Sequence, residues 1–223
     1  MPLPASEIAA RLSRLDACAV SDALDSLALA GVADGIAPLT GPARIGGRVV
    51  TVRLGPPTGV PSARHLCTAA VNAAGPDEVI VVAHQGRTDC AGWGGNLSCA
   101  ASQRHVGGVI VDGAVRDVDE SREVGFAVFA TAATPRTARG RAAEHDWNVP
   151  IVMAGVTVNP GDWVVADSTG VVFVPAESLD AVLASAERIA AKEAAMAAAI
   201  ARGVPIDVVM GGDYEKMLSG EPS

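Results

Sequence analysis

The chain has 223 residues, 49% of them hydrophobic and only 3% aromatic, so it is long enough to bury a substantial core built from Ala, Val, Ile and Leu. A formal charge of −8, a pI near 4.9 and the lack of any basic run argue against nucleic-acid binding, which requires a basic patch. No apolar run approaches the roughly 18 residues of a membrane span, and the N-terminus lacks a basic start followed by an apolar core. The expectation is a cytoplasmic protein without nucleic-acid or membrane partners, folded as one domain over residues 1–223. Cys18, Cys67, Cys90 and Cys99 show neither CxxC nor zinc-finger spacing, which points to reduced, buried or semi-buried thiols.

In chain order, residues 5–30 read as helical, with Ile8, Leu12, Leu15 and then Val20, Leu24, Leu27 on apolar spacings and a break near Asp16 to Ser21, where Ser21 is placed to cap a second helix. Residues 44–54 (RIGGRVVTVRL) lie between Gly41-Pro42 and Gly55-Pro56-Pro57 and read as a strand. A helix over 62–74, a strand over 78–83, a loop over 84–95 and a helix over 96–105 follow, then a buried strand over 107–112 closed by a turn Gly113-Ala114-Val115. Strands are predicted over 126–131, 149–158, 162–166 and 170–174. One long alanine-rich helix runs from about 177 to 202, closed by Gly203 and Pro205. The order implies an α/β fold with helices over a mixed sheet.

Two segments carry candidate chemistry. In WGGNLSCAA (93–101), Gly94 and Gly95 open a helix whose free N–H groups at Gly95, Asn96 and Leu97 suit a small carboxylate, although such a turn also serves simply to start a helix. VDGAVRDVDE (111–120) places Arg116, Asp117, Asp119 and Glu120 after a strand. Arg116 suits a substrate carboxylate and Asp117 a hard cation such as Mg²⁺ or Mn²⁺. The same four residues also read as a solvated first turn whose acids complement the helix dipole, and Asp119 is assigned that role. Ligands in α/β sheets gather beyond the carboxyl ends of strands, where both segments belong.

Together they give G-x20-R-D-x2-E, from Gly95 through Arg116-Asp117 to Glu120. With LDACAVSDALDSL at 15–27, IGGRVVTVR at 45–53, GGVIVDGAVRDVDE at 107–120 and VPIVMAGVTVNPGDWVVADSTGVVFVP at 149–175, the chain resembles the metal-dependent pyruvate aldolases acting on 4-hydroxy-4-methyl-2-oxoglutarate and 4-carboxy-4-hydroxy-2-oxoadipate, whose relatives include the regulator of ribonuclease activity A. The resemblance implies a swivelling β/β/α-type sandwich with a long C-terminal helix, assembled as a homotrimer or homohexamer with sites between subunits. It implies Arg116 and Asp117 as catalytic residues, Asp117 as the ligand of Mg²⁺ or Mn²⁺, and Gly94, Gly95, Asn96, Leu97 and Arg116 around the pyruvyl group. Glu120 would support the metal's water shell. Members often carry an acid where strand 78–83 ends, and here Ala83 and His84 stand there.

Retro-aldol cleavage leaves pyruvate enolate, which a lysine Schiff base or a divalent metal can stabilise. Lys192 and Lys216 are the only lysines, and neither lies at a strand end, which favours the metal. Oxaloacetate decarboxylation passes through the same enolate and is the expected side activity. On the last helix, Val182, Ala186, Ile189, Glu193, Met196 and Ile200 form a stripe; Glu193 either reaches solvent or an arginine past its edge, or, by the resemblance, a neighbouring subunit's metal water. Asp22 and Asp25 read as helix-surface residues and Asp112 as a turn stabiliser. The alternative function is a non-catalytic regulator that binds a ribonuclease or helicase.

Overall fold

The computed structural model of the chain describes residues 3–42, 44–59 and 64–211. Helices α1 (Ala5–Leu12) and α2 (Ala17–Ser26) form the expected pair, but Asp16, not Ser21, caps the second. Asp16 has extended backbone immediately before the first turn and accepts the Ala19 N–H at 2.7 Å, whereas Ser21 lies inside the helix, where its own turn already pairs the backbone. Two short strands, β1 (Val32–Ala33) and β2 (Ala37–Thr40), were not legible, since two to four residues give no period to count. Strand β3 (Arg44–Gly55) matches the expected 44–54. Helix α3 (Thr68–Ala73) starts later than predicted, after Cys67 in the left-handed region, and positions 62 and 63 of that expectation lie outside the described residues.

Strand β4 (Glu78–Ala83), helix α4 (Gly95–Gln103), strand β5 (Gly108–Val115), helix α5 (Val118–Glu123) and strands β6 (Val128–Ala133) and β7 (Ala143–Trp147) follow. The single strand expected over 149–158 is instead a hairpin of β8 (Ile151–Met153) and β9 (Val156–Val158). Ala154 and Gly155 have φ of 44° and 90°, the pair of positive values that a two-residue hairpin turn needs. Strands β10 (Trp163–Asp167) and β11 (Val171–Val174) lead through a 3₁₀ turn into α6 (Leu179–Ala201) and the short α7 (Ile206–Val209).

The large sheet runs β1-β11-β10-β3-β4-β5-β6-β2, with β7 added on β3. Strands β3 to β6 are parallel and the flanks antiparallel. Alternation along the strands divides the interior into layers. Val50, Val52, Ile80, Val82, Val109 and Val111 face α3 and α4. Val49, Val79, Val81 and Ile110 face the opposite way, meeting Val164, Phe173 and the β8–β9 hairpin. The outer face of β10 and β11 is covered by α1, α2 and the first half of α6. The sheet therefore curls around an inner core with helices on both outsides, the mixed α/β architecture with a long C-terminal helix that was expected.

Asp112, 6% exposed inside β5, accepts backbone N–H groups from His84 and, at 3.0 Å, from Gln85. It thereby fixes the turn after β4, as its sequence position suggested. Burial pushes its carboxyl up to about 6, against the N–H groups of His84, Ala154 and Gln85, which favour the anion. A carboxyl raised in the folded state above about 3.9 in the unfolded chain adds stability that is present below about pH 4 and lost as pH rises through about 6. Asp112→Asn removes that titration, so from pH 4 to pH 7 the variant should gain about 1–3 kcal/mol relative to wild type in urea unfolding. A difference independent of pH would refute the assignment.

Candidate active site

Strands β4 and β5 are parallel neighbours, paired from Val79↔Gly108 to Val82↔Val111, so the loops at their carboxyl ends share one edge. The loop after β4 does not stand free. Ala114 donates its N–H to Arg87 O at 2.8 Å, Gly92 N–H to Ala114 O at 2.8 Å, and Arg116 N–H to Trp93 O at 3.0 Å. This pairing carries β5 through Gly113-Ala114-Val115, which sequence spacing had assigned to a turn. The reversal falls instead on Asp117, at φ 56°, a conformation Asp adopts more readily than most residues.

The same pairing presses Gly94 and Gly95 against Arg116 and Asp117. A Cβ on Gly94 would lie 2.9 Å from Asp117 Oδ2, and one on Gly95 would lie 3.0 Å from Asp117 Cβ and 3.1 Å from Glu120 Cβ. Close approach, rather than an unusual φ, is what requires glycine here. Gly95 donates its N–H to Asp117 Oδ2 at 3.1 Å, and Arg116 Nε donates to the same oxygen at 3.1 Å. Leu97 N–H is turned back onto Gly94 O at 3.0 Å, so of the three expected amide donors Asn96 N–H alone is uncommitted among the described residues.

Below Asp117 runs a one-way chain of hydrogen bonds. Trp93 Nε1 donates to Ser98 Oγ at 2.9 Å, Ser98 and Ser121 share a hydroxyl contact of 2.8 Å, and Ser121 Oγ donates to Asp117 O at 3.1 Å. Indole nitrogen only donates and a carbonyl only accepts, so both hydroxyl protons must point towards Asp117. Ser98 and Ser121 are buried, and Trp93 stacks on Phe126 with ring centroids 6.2 Å apart. The backbone of Asp117 is thus held by α4, α5 and the core at once.

Arg116, Asp117, Gly94, Asn96 and Leu97 line a cavity of about 410 Å³, at the small-ligand end of the usual range of about 300–1,000 Å³. Its other walls bring His65, Thr68 and Asn72 from α3 and its approach, and Thr137 from the loop between β6 and β7. None of these four was singled out from sequence, because each sits in a segment without a spacing that ties it to Arg116. Glu120 is exposed on α5 beside Gly95 and outside the cavity lining. Glu193 lines a different pocket, with Asp16, Cys18, Arg44 and Asp167, where burial and then Asp16 and Asp22 raise its carboxyl above the usual range.

Asp119 pairs with Arg122 and is exposed, a solvated first-turn acid as expected. Asp25 is exposed and Asp22 half-buried on the surface of α2. His84 is buried at 1% exposure under the loop, donating Nε2–H to Cys90 O at 2.9 Å, and does not reach the cavity. Cys67 and Cys90 are buried thiols, but Cys18 and Cys99 are exposed, which corrects the expectation of four buried or semi-buried ones. Among the described residues no cluster of three or more His, Cys, Asp or Glu stands ready to cage a metal. The donor set at Asp117 nevertheless fits a hard divalent cation of the Mg²⁺ type: one carboxylate, 32% exposed and part of the cavity lining, has its Oδ2 tied down, and such ions commonly keep water and substrate in their remaining positions.

A family model described as RraA-like, Aldolase/RraA, matches residues 17–173. Protein DlpA of Legionella pneumophila is 30% identical over 197 residues, covering 88% of this chain and 32% of that protein. A 4-hydroxy-4-methyl-2-oxoglutarate aldolase of Thermus thermophilus is 36% identical over 135 residues, covering 60% of this chain and 78% of the relative. The crystal structure of Streptomyces coelicolor RraAS2, described as an unusual member of the RNase ES inhibitor RraA protein family, superposes with a TM-score of 0.75 at 25% identity, over 84% of this chain and 94% of that one. The chain spans 32%, 64% and 60% of the length of the first three curated relatives it matches. Among the described residues, no helix is long and apolar enough to cross a membrane.

Proposed function

Because the chain belongs to the RraA-like, Aldolase/RraA family, we propose that it is a divalent-metal-dependent (class II) pyruvate aldolase, cleaving 4-hydroxy-2-oxo acids such as 4-hydroxy-4-methyl-2-oxoglutarate, with oxaloacetate decarboxylation as a side activity. The observation that carries this reading is the joint placement of Arg116, Asp117 and the α4 amino end on one cavity. Asp117 would hold Mg²⁺ or Mn²⁺ through its second carboxylate oxygen, with Glu120 nearby for the water shell. What such an ion supplies when bound is Lewis-acid stabilisation of enolate charge, worth several kcal/mol.

The chain's own groups do the positioning. Arg116 is a fork with more donors than its single bond to Asp117 uses, so it can hold the pyruvyl carboxylate or keto oxygen at the same time. Asn96 N–H, at the positive end of α4, adds a fixed donor for the carboxylate. Leu66, Val71, Trp93 and Leu97 give the cavity an apolar wall, which lowers the local dielectric and strengthens these contacts. The test is pyruvate release from 4-hydroxy-4-methyl-2-oxoglutarate with Mg²⁺ and after chelation; undiminished release after chelation would sink the metal-dependent reading.

A homotrimer or homohexamer is part of the proposal. It is supported by the apolar residues Ile200, Ile206, Val208 and Met210, which stand exposed where α6 runs past the body and α7 begins. Sedimentation at micromolar concentration should give three or six copies, and a monomer would remove this element. A second reading, a non-catalytic regulator binding a ribonuclease or helicase, is favoured by the description of the Streptomyces neighbour as a ribonuclease inhibitor family member. Co-purification of such a partner without any lyase activity would put it first.

A further inference from the structure

Cleavage of a 4-hydroxy-2-oxo acid needs a base for the C4 hydroxyl as well as stabilisation of the enolate. We propose that His65 is that base, an inference that rests on the aldolase reading above. Among the described residues that line the cavity, His65 and Asp117 alone carry a titratable base. Asp117 already accepts Gly95 N–H and Arg116 Nε on one oxygen and is assigned to the metal on the other. The buried thiol of Cys67 is directed at Gly92 O, and burial holds it protonated, well above the usual thiol range.

His65 lines the cavity and holds the tautomer that the role demands. Its Nδ1 lies 3.0 Å from Leu66 O; a carbonyl only accepts, so Nδ1 carries the hydrogen and Nε2 of the neutral ring carries the lone pair. The segment bearing it is pinned from three sides. Thr68 Oγ1 donates to His65 O at 2.7 Å, Cys67 N–H donates to Glu144 Oε2 at 2.6 Å, and Arg64 Nη2 donates to Glu144 Oε1 at 2.7 Å. The side chain of Glu144 is itself 4% exposed, and the residue sits on β7, which pairs with β3. A ring oriented by a neighbouring acceptor, on a segment anchored to the sheet, matches the general form of an activated acid–base residue.

The proton of the C4 hydroxyl passes to His65 Nε2, and the O–H electron pair becomes the C4 carbonyl π bond. The C3–C4 bond breaks, its pair forming the C2–C3 double bond as the C2 carbonyl electrons move onto oxygen. Solvent then protonates C3 to give the methyl group of pyruvate. His65, exposed at the cavity rim, returns its proton to solvent, so no net proton is gained or lost. Oxaloacetate carries a carboxylate at C4 and no hydroxyl, so loss of carbon dioxide yields the same enolate with no proton for His65 to take.

That contrast supplies the experiment. The full chain with Mg²⁺ is assayed on 4-hydroxy-4-methyl-2-oxoglutarate and on oxaloacetate, as wild type and as His65→Gln. The expected result is a fall of about 10²–10⁴-fold in kcat for aldol cleavage, with decarboxylation falling less than about tenfold. Imidazole added to His65→Ala should restore part of the lost cleavage, which a purely structural role for His65 does not allow. A ratio of the two activities within about tenfold of wild type, or loss of both in both variants without rescue, overturns the assignment. Wild type that turns over neither substrate removes the aldolase reading itself, whereas wild type active on both with an unchanged ratio in His65→Gln isolates the failure to His65.

Discussion

Pyruvate release from 4-hydroxy-4-methyl-2-oxoglutarate should fall by about 10³-fold or more in Asp117→Ala, since losing several kcal/mol of enolate stabilisation costs about a factor of ten per 1.4 kcal/mol. Asp117→Asn makes the sharper variant. Asparagine tolerates the left-handed conformation at φ 56° and keeps an oxygen for Gly95 N–H and Arg116 Nε, while removing the charge that would bind Mg²⁺. Its thermal midpoint should stay within a few degrees of wild type while its activity matches that of Asp117→Ala. The alanine variant should in addition lose about 1 kcal/mol of stability, from placing an unsuited residue at positive φ. Turnover in Asp117→Asn within tenfold of wild type would remove the carboxylate from the chemistry.

The second large effect belongs to Arg116. Truncation to Ala removes charge-assisted bonds to the substrate worth about 1.5–3 kcal/mol, so kcat/KM should fall by about 10–10²-fold. Lysine should recover little of it, because a single ammonium cannot hold Asp117 Oδ2 and a carboxylate in one planar fork. The signature that separates this from general damage lies in the metal. Arg116 places a positive charge 3.1 Å from Asp117 Oδ2, so its removal should leave Mg²⁺ activation unchanged or tighten it while the substrate KM rises. Weaker Mg²⁺ activation in Arg116→Ala would show that the arginine supports the metal carboxylate rather than the substrate.

Much of the architecture was open to reading along the chain wherever an element was long enough to show a period. The runs at 44–54, 78–83 and 162–174 and the helix after 177 fell within a few residues of their observed bounds, because a buried strand or a long helix repeats its apolar pattern several times. The hairpin in 149–158 was missed since its turn uses Ala154-Gly155, which carries less turn signal than Asn-Gly. Asp16 and Ser21 satisfy the same cap preference, and local sequence does not say which of the two begins the helix.

For the site, the sequence by itself marked out Gly94, Gly95, Arg116 and Asp117 as the candidate set, and among the described residues no lysine stands at a strand end. Contact at fixed spacing leaves such a trace: the 84–94 loop zips along β5 through backbone hydrogen bonds of 2.8–3.0 Å, which presses Gly94 and Gly95 against Arg116 and Asp117. Only the tertiary structure decided which other groups face them. His65, Asn72 and Thr137 reach the cavity from the approach to α3, α3 itself and the β6–β7 loop, Glu193 goes to a separate pocket, and His84 disappears beneath the loop. The physical reason is that long-range packing, which sets those directions, depends on how the sheet curls and how α3 docks on α4, and neither is encoded in the spacing of any one segment.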